Sequence, residues 1–375
     1  MPRWFAYKVL LSFVLIAISV PGSANAGPTG SLFDPNEYSS LGNLVLSPGW
    51  SVEFDERGWP SPRYRTKAPG ESWGAWNGGG QLANSQSGEV TVALFTFDRI
   101  DLPSGVNVYS GYQPGLVTPV VLLSKTNATV GASIEMLGCG GGMAGMPMPM
   151  GEGQWGPGMG GPGDSPVGTG GGGGGSGAGG SYGGRGGSRI NFYQGVTYGD
   201  DRLTDLYPGS GGAGGDSYGG HQFAYGGGGG NGGGAIELIA LNRLTVSGQL
   251  LMDGGAGGYA ASSQDGGGGS GGAVLLAANI LDVTGLQLDA SGGDGSGGGG
   301  GGRVAFYANS LIGLTSANVD VSGGDGTASD GVAGTFRYFG DGGAGDMSFP
   351  YPVPEPGTLA LLALGGLALM RRRRN

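Results

Sequence analysis

Short aliphatic runs alternate with glycine-rich stretches along most of this chain. Three of these runs follow a glycine tract and align with one another, and they cover residues 235–255, 273–293 and 303–324. Each run contains two or three short segments rich in Val, Ile and Leu with turn residues between them, which is the pattern of short β-strands. In the second run apolar residues recur at every second position, so we expect one face of a strand to carry Val274, Leu276, Ala278 and Ile280.

The repeat predicts how these strands are arranged. No single unit can bury its apolar face alone, whereas units stacked one on the next bury a continuous ladder of aliphatic side chains. Such coils resemble those of right-handed β-helix exported proteins, so the expected fold is all-β, a right-handed parallel β-helix. Earlier copies at 92–108 and 120–141 lack the leading glycines. A β-sandwich of similar strands is the alternative fold.

Glycine makes up about a quarter of the chain, 93 of 375 residues. That is more than three times the usual share of about 7%. The tracts lack the Gly-X-Y period and the proline content of collagen. Because they interrupt the repeats at irregular spacing, we interpret the stretches at about 139–188 and 207–234 as loop insertions on the side of the stack.

The repeats occupy residues 90–340, and the segment before them differs. Residues 27–89 carry few repeat features, and we interpret them as a first coil plus a cap, since an uncovered strand edge pairs with other chains. This segment holds the tryptophans Trp50, Trp59, Trp73 and Trp76. Flat aromatic faces of this kind either fill a small cap core or stack on sugar rings. Residues 341–353 are expected to be a tether.

The N-terminus has the three parts of a secretory signal peptide, predicted to span residues 1–26. Arg3 and Lys8 form the positive region, residues 9–20 the apolar region, and Ala24 and Ala26 the small-residue cleavage site. Cleavage after Ala26 leaves Gly27 as the new N-terminus. An uncleaved N-terminal anchor is the alternative.

The C-terminus, residues 354–375, has a second tripartite pattern. It begins with Pro354, Glu355 and Pro356, continues with an apolar run, and ends with the basic residues Arg371, Arg372, Arg373 and Arg374. The apolar run partitions into a bilayer, and the arginines stop its passage because a charge at the membrane centre costs about 2.5–3.5 kcal/mol. We expect a hydrophobic helix here. An ordinary membrane anchor is the alternative, although the apolar run is shorter than the ~20 residues that cross the hydrocarbon core.

This tail resembles the PEP-CTERM sorting signal of Gram-negative bacteria. Pro354, Glu355 and Pro356 match the motif after which the family is named, and the apolar run and arginine cluster match its other parts. The resemblance implies that an exosortase-type membrane enzyme recognises the three residues and processes the chain there. It further implies a protein anchored transiently in the inner membrane and then displayed at the cell surface or released, with exopolysaccharide as a neighbour.

Charge excludes one class of partner. Six of the 18 basic residues lie in the two sorting segments, which leaves 12 basic residues against 28 acidic ones, a net charge of −16, in residues 27–370. Such a surface repels nucleic acid, and it repels anionic polysaccharide unless divalent cations intervene. We therefore expect no nucleic-acid partner.

The sequence gives little support for catalysis, and we predict no catalytic residue and no metal ligand. His221 is the only histidine and Cys139 the only cysteine. Acidic residues recur beside glycine at the ends of the repeats, where Asp commonly bonds its own backbone in a turn. These are Asp253, Asp282, Asp289 and Asp320.

Calcium is the one cofactor that the sequence suggests. Residues 211–219 fit the nonapeptide pattern of calcium-binding β-rolls, but the pattern occurs once, whereas such rolls need tandem copies. We therefore expect no cofactor, with weak calcium binding by stacked acidic turns as the alternative.

Together the sequence predicts an exported, non-enzymatic structural protein of the cell surface or extracellular matrix. A β-helix enzyme acting on polysaccharide, or a sugar-binding module, is the competing function.

Overall fold

The computed structural model describes residues 33–56, 61–85, 88–110, 118–136, 177–187, 195–215, 227–260 and 265–339. This part of the chain is all-β, as predicted: it contains one short 3-10 helix, Pro35–Glu37, and no α-helix. The predicted signal peptide, tether and sorting tail lie outside the described residues, as do Trp59, Cys139 and His221.

The described residues form twenty strands. In chain order they are β1 Asn43–Val45, β2 Ser51–Asp55, β3 Arg63–Lys67, β4 Gly78–Gly79, β5 Gln81–Asn84, β6 Thr91–Phe97, β7 Arg99–Leu102, β8 Asn107–Ser110, β9 Val120–Ser124, β10 Asn127–Val130, β11 Ile134–Glu135, β12 Ala235–Val246, β13 Gln249–Leu251, β14 Ala273–Asp282, β15 Gln287–Asp289, β16 Gly295–Gly297, β17 Arg303–Ile312, β18 Val319–Asp320, β19 Gly326–Ser329 and β20 Thr335–Phe339.

The main sheet has ten strands in two rows. One row runs β5-β6-β9-β12-β14-β17-β20, and the other runs β1-β7-β10 and then continues through the second halves of the long strands β12, β14 and β17. Every pair in these rows is parallel except β5 with β6. A second parallel sheet, β11-β13-β15-β18, collects the short strand that follows each long one. Successive repeat units therefore stack in parallel and in register, as the repeat predicts.

The stack is held together by ladders of aliphatic side chains at matched positions. Ile236, Val274 and Val304 are paired in register, and all three are buried in the same core cluster. A second ladder runs through the other row and contains Leu44, Ile100, Ala128, Leu244, Leu281 and Leu311. Each rung buries its apolar side chains largely against the rungs beside it, which explains why the units need one another.

The predicted alternation in β14 is right for three residues and wrong for the fourth. Val274, Leu276 and Ala278 lie in one core cluster, but Leu281 takes the place expected for Ile280. The facing changes between Ala278 and Leu281 on β14 and likewise between Ala308 and Leu311 on β17, where both strands pass from the first row to the second.

Both faces of the first row of the main sheet are buried. The residues between those of the first cluster, such as Leu275 and Ala277, belong to a second cluster on the opposite face. Leu203 and Leu206, from the segment 195–207, are fully buried in that cluster. This burial on two sides explains why the strand sequences read as continuous apolar runs instead of a strict alternation.

The glycine tracts are the main correction to the sequence analysis, because they are not loop insertions on the side of the stack. The described parts of the predicted insertions, among them residues 177–180, 209–215 and 232–234, are buried. They join further tracts, including residues 265–272 and 297–302, in a packed array whose segments bond one another through their backbones.

Residues 266–272 show the geometry of this array. The N–H groups of Gly266 and Gly269 donate to one neighbouring segment, at Gly258 and Gly255. Gly267 and Ser270 donate to a second segment, at Ala213 and Ser210, and Gly268 and Gly271 donate to a third, at Gly297 and Gly300. The donors thus turn to the same neighbour at every third residue, which is the period of a polyproline-II helix. We call this array the glycine bundle.

Only glycine fits at such contacts. A Cβ atom on Gly269 would lie 1.9 Å from the carbonyl oxygen of Asn231, and one on Gly299 would lie 1.8 Å from that of Gly269. Both obstacles are backbone atoms, which cannot rotate away as a side chain can. The glycine content is therefore a packing requirement in this part of the molecule.

We predict that Gly269→Ala lowers the free energy of unfolding by about 3 kcal/mol or more, at the upper end of overpacking effects, because the new methyl group meets backbone. Chemical denaturation of the processed chain measures the change. Gly74→Ala is the matched control, since a Cβ there has open space and the residue has no positive φ. It should leave stability unchanged or raise it by about 0.4–1 kcal/mol. Equal effects of the two substitutions would contradict the close-packed bundle.

Candidate functional site

The predicted sorting residues lie outside the described residues, so the body of the protein offers three other candidates. These are a ladder of basic and aromatic residues on β3, an acidic recess beside the glycine bundle, and a strap across one face of the main sheet. Each is built from residues that the sequence brings together in a different way.

The cation–indole ladder begins with the alternation of β3. Arg63, Arg65 and Lys67 lie two residues apart and therefore point to the same face of the strand. Trp76 lies 4.4 Å from the Arg63 guanidinium and 4.3 Å from that of Arg65, measured to the ring centroid. Trp73 lies 4.9 Å from Arg65 and 4.8 Å from the Lys67 ammonium. Cations and indole rings thus alternate along the strand.

Spacing indicates that both tryptophan rings are flanked by cations. Side chains two residues apart on a strand are separated by roughly 7 Å, which is the distance that one intervening ring fills. A sugar ring would therefore have to displace Arg63, Arg65 or Lys67 before it could stack on Trp73 or Trp76. Trp50 packs against the main core, which leaves it equally unsuited to a sugar-stacking platform.

Carboxylates on the neighbouring strand β2 pair with the two arginines and hold their side chains in place. Arg63 Nε donates to Asp55 at 2.9 Å and Arg65 Nε to Glu53 at 2.6 Å across the antiparallel pair β2–β3. The ladder is thus nearly neutral and does not form a basic patch. The sequence carried a signal for it that we did not use, namely basic residues at every second position followed by two tryptophans three residues apart.

The acidic recess is an open depression of about 390 Å³ between neighbouring segments of the glycine bundle. Asp265, Asp294 and Asp325 line it, together with Tyr259, whose side chain is 82% exposed. The carboxylates are engaged in local hydrogen bonds, because Asp294 accepts from the Asp325 N–H at 2.8 Å and Asp265 from the Ala260 N–H at 2.7 Å. Among the described residues no group of three acidic, His or Cys side chains is placed to hold a metal ion.

The aspartates at the repeat ends make turns, as the sequence predicts. Asp282, Asp289 and Asp320 each accept a hydrogen bond from the backbone N–H two residues on, at 3.1, 2.9 and 2.8 Å. Burial alone would raise the pKa of Asp282, but hydrogen bonds from Thr284 and Arg243 outweigh it and lower that pKa. Burial and the nearby charge of Asp289 raise the pKa of Asp253. Asp289 and Asp320 are matched in register on neighbouring strands, but among the described residues no group of three such side chains is placed to hold a metal ion.

The strap, residues 198–207, crosses the outer face of the main sheet and ties its two ends. Toward the late rungs, Asp201 pairs with Arg303 and, at 3.1 Å, with Arg337, and Tyr307 Oη donates to the Arg202 carbonyl at 2.6 Å. Toward the early rungs, Ser85 bonds Asp205 and Tyr207 bonds Glu89. This element could not be predicted from the sequence, since its partners are about 100 or more residues away along the chain.

We predict that Arg65→Ala lowers the free energy of unfolding by about 1–2 kcal/mol, because it removes two cation–π contacts worth about 0.5–1 kcal/mol each. Indole fluorescence should shift as Trp73 and Trp76 lose their common neighbour. Arg99→Ala is the control, since Arg99 pairs with Asp101 at 2.8 Å, is 54% exposed and lies over no described ring. Its effect should be about 0.5 kcal/mol with no change of fluorescence. An unchanged emission spectrum for Arg65→Ala would show that the ladder does not form.

Comparison with known proteins identifies one segment. Residues 352–374 match the family model of the PEP-CTERM protein-sorting motif, in agreement with the resemblance seen in the sequence. No curated protein and no solved structure matches the chain. In the part of the chain that the structure describes, no helix has the length and apolar character needed to cross a membrane. The chain thus carries a PEP-CTERM sorting motif, which marks it as an exported protein that is anchored transiently in the membrane and processed by exosortase.

Proposed function

We propose that this protein is a non-enzymatic structural component of the surface or extracellular matrix of a Gram-negative bacterium. The observation that carries the proposal is the PEP-CTERM motif at residues 352–374, at the end of a body built from stacked repeats. The motif explains how the protein is exported, and the stacked repeats are the part that would remain at the surface after processing. Exopolysaccharide is the expected neighbour, by resemblance to the family.

The proposed architecture is a right-handed parallel β-helix to which the glycine bundle adds a third side. Parallel registers support it, because each long strand is followed by a short strand of the second sheet and then by a return to the next long strand. Connections between parallel strands of one sheet are right-handed in about 98% of cases, which supports the hand.

A structural role is supported by how the polar groups are used. In the glycine bundle, backbone donors meet backbone acceptors of neighbouring segments. The repeat-end carboxylates are likewise occupied by turns. With a net charge of −16 in residues 27–370, an acidic polysaccharide would approach only through divalent cations, so weak calcium binding would assist such contact.

We predict that replacing Pro354, Glu355 and Pro356 together by Ala prevents processing and leaves the chain in the membrane fraction. The wild-type chain should lose both terminal segments, and processing at the motif removes about 20 residues, from the Pro354 region to Asn375. Intact-mass measurement and cell fractionation test this. Replacement of Pro147, Met148 and Pro149 by Ala is the matched control and should not alter processing. A wild-type product that keeps its tail would contradict the proposal.

The acidic recess favours a second candidate function, since exposed Tyr259 and the carboxylates of Asp294 and Asp325 are the kinds of group that contact sugars. Under this alternative the protein is a polysaccharide-active enzyme or a sugar-binding module.

We predict that the processed chain shows no turnover of acidic polysaccharides with calcium present. Asp294→Asn and Asp325→Asn test the recess, and Asp320→Asn is the control because it makes a similar turn outside it. Turnover or retention on a polysaccharide matrix that both recess substitutions abolish and the control keeps would establish the alternative in place of the structural role.

A further inference from the structure

The second row of the main sheet presents a polar face to solvent. Its other side is the buried aliphatic ladder described above, so the residues before and after each member of that ladder point outward. We call the outward side of β1, β7, β10 and the second half of β12 the polar face. The residues that come before the ladder members on these four rungs are all exposed, and they are Asn43, Arg99, Asn127 and Arg243.

Residue type on the polar face repeats at every second rung. Amide and guanidinium groups alternate along the stack, because Asn43 lies beside Arg99 and Asn127 lies beside Arg243. Neighbouring strands are about 4.8 Å apart, so the two arginines, like the two asparagines, are separated by about 9.6 Å. The alternation stops at β14, where Ile280 takes the next position. The repeat therefore spans four rungs and suits a polymer whose own repeat contains two units.

Carboxylates on the same face hold the two guanidinium groups. Arg99 pairs with Asp101 at 2.8 Å and Arg243 pairs with Asp282 at 2.6 Å, while the arginine side chains stay 54% and 46% exposed. A guanidinium has five N–H donors, so donors remain for a ligand after these contacts are made. The pairs thus orient the arginines in advance and leave the face with no net charge.

Amides and hydroxyls complete the polar face. The side chains of Asn43 and Asn127 form no hydrogen bond with another described residue, so their donors and acceptors are available. Thr129 and Thr245 lie two positions further along their strands and are half-buried. These groups both donate and accept hydrogen bonds, as the hydroxyls of a sugar do.

Charge favours a neutral polymer over an acidic one. The polar face is neutral, and residues 27–370 carry a net charge of −16, so an acidic polymer is repelled without gaining a basic patch in return. In an extended β-1,4-linked chain, successive sugar rings are turned over, so the same edge recurs at every second sugar. Each sugar advances the chain by slightly more than one strand spacing, a mismatch that flexible arginines accommodate over four rungs.

We propose that the polar face binds an extended β-1,4-linked chain of neutral sugars that lies along the stack, with one sugar on each of the four rungs. Arg99 and Arg243 donate to every second sugar, and Asn43 and Asn127 contact the sugars between them. The inference rests on the structural role proposed above, and it names the class of polysaccharide that the protein would hold in the matrix.

Isothermal titration calorimetry of the processed chain with cellohexaose, a soluble β-1,4-linked chain, tests the contact. We predict binding of cellohexaose and none of maltohexaose, because the α-1,4 linkages of maltohexaose coil the chain and remove the two-unit repeat. Arg99→Ala and Arg243→Ala should each weaken cellohexaose binding by about tenfold or more, since each removes hydrogen bonds from a charged donor. Asn127→Ala, which removes only an exposed amide, should also weaken it.

Arg337→Ala is the matched control. Arg337 is 50% exposed and pairs with a carboxylate, Asp201, at 3.1 Å, but it lies on the first row beside the strap. This variant should bind cellohexaose like the wild type. Asp294→Asn should also leave the binding unchanged, because Asp294 lies in the acidic recess and not on the polar face.

Four outcomes would overturn the proposal. They are no binding of cellohexaose, equal binding of maltohexaose, binding that the substitutions at Arg99, Arg243 and Asn127 do not weaken, and tighter binding of hexamannuronate, an acidic β-1,4-linked chain, without calcium. Mass spectrometry of the sugar after incubation reports separately on the proposed function. Cleaved cellohexaose would contradict the non-enzymatic role, whereas intact sugar that does not bind would contradict only the contact at the polar face.

Discussion

The close approach of one backbone to another is the constraint on which this structure depends. Where aliphatic strands stack, the rungs are set by the ordinary spacing of a parallel sheet, and side chains fill the interior. Where glycine tracts stack, neighbouring segments meet mainly through their backbones, and a Cβ atom on Gly269 would lie 1.9 Å from a carbonyl oxygen. Each rung therefore combines an aliphatic strand, which packs through its side chains, with a glycine tract, which packs through its backbone.

The free energies involved indicate that the aliphatic ladders hold the glycine tracts in place, and not the reverse. Ordering one backbone residue costs about 1–2 kcal/mol, and a typical hydrogen bond returns about 0.5–1.5 kcal/mol net. A glycine tract with no side chain to bury is thus near balance or unfavourable by itself, and glycine loses more freedom than other residues. The aliphatic ladders supply the missing stabilisation by fixing where each tract begins and ends, as at Gly272, which leads directly into β14.

This division explains what the sequence could and could not predict. Aligned apolar runs predicted that Ile236, Val274 and Val304 lie in register, because burial in a stack leaves a periodic trace in residue type. The glycine bundle could not be predicted in this way. Its three-residue period lies in the direction of the backbone N–H groups, and a run of identical glycines carries no periodic change of residue type. The strap could not be predicted for another reason. Asp201 and Arg303 are distant in sequence, and neither residue is part of a repeated pattern that would point to the other. The cation–indole ladder, by contrast, could have been predicted, because basic residues stand at every second position of β3.

A fold whose every rung is completed by its neighbours has no natural last rung. The first end of this stack carries a four-stranded sheet and the β5–β6 hairpin, whereas the described part of the last end stops at β20, which covers only the first half of β17. In a soluble protein of the cytoplasm such an edge would invite unwanted pairing during and after folding. At the first end the antiparallel strands β3 and β5 interrupt the parallel pairing, which is one way in which a stack of this kind ends.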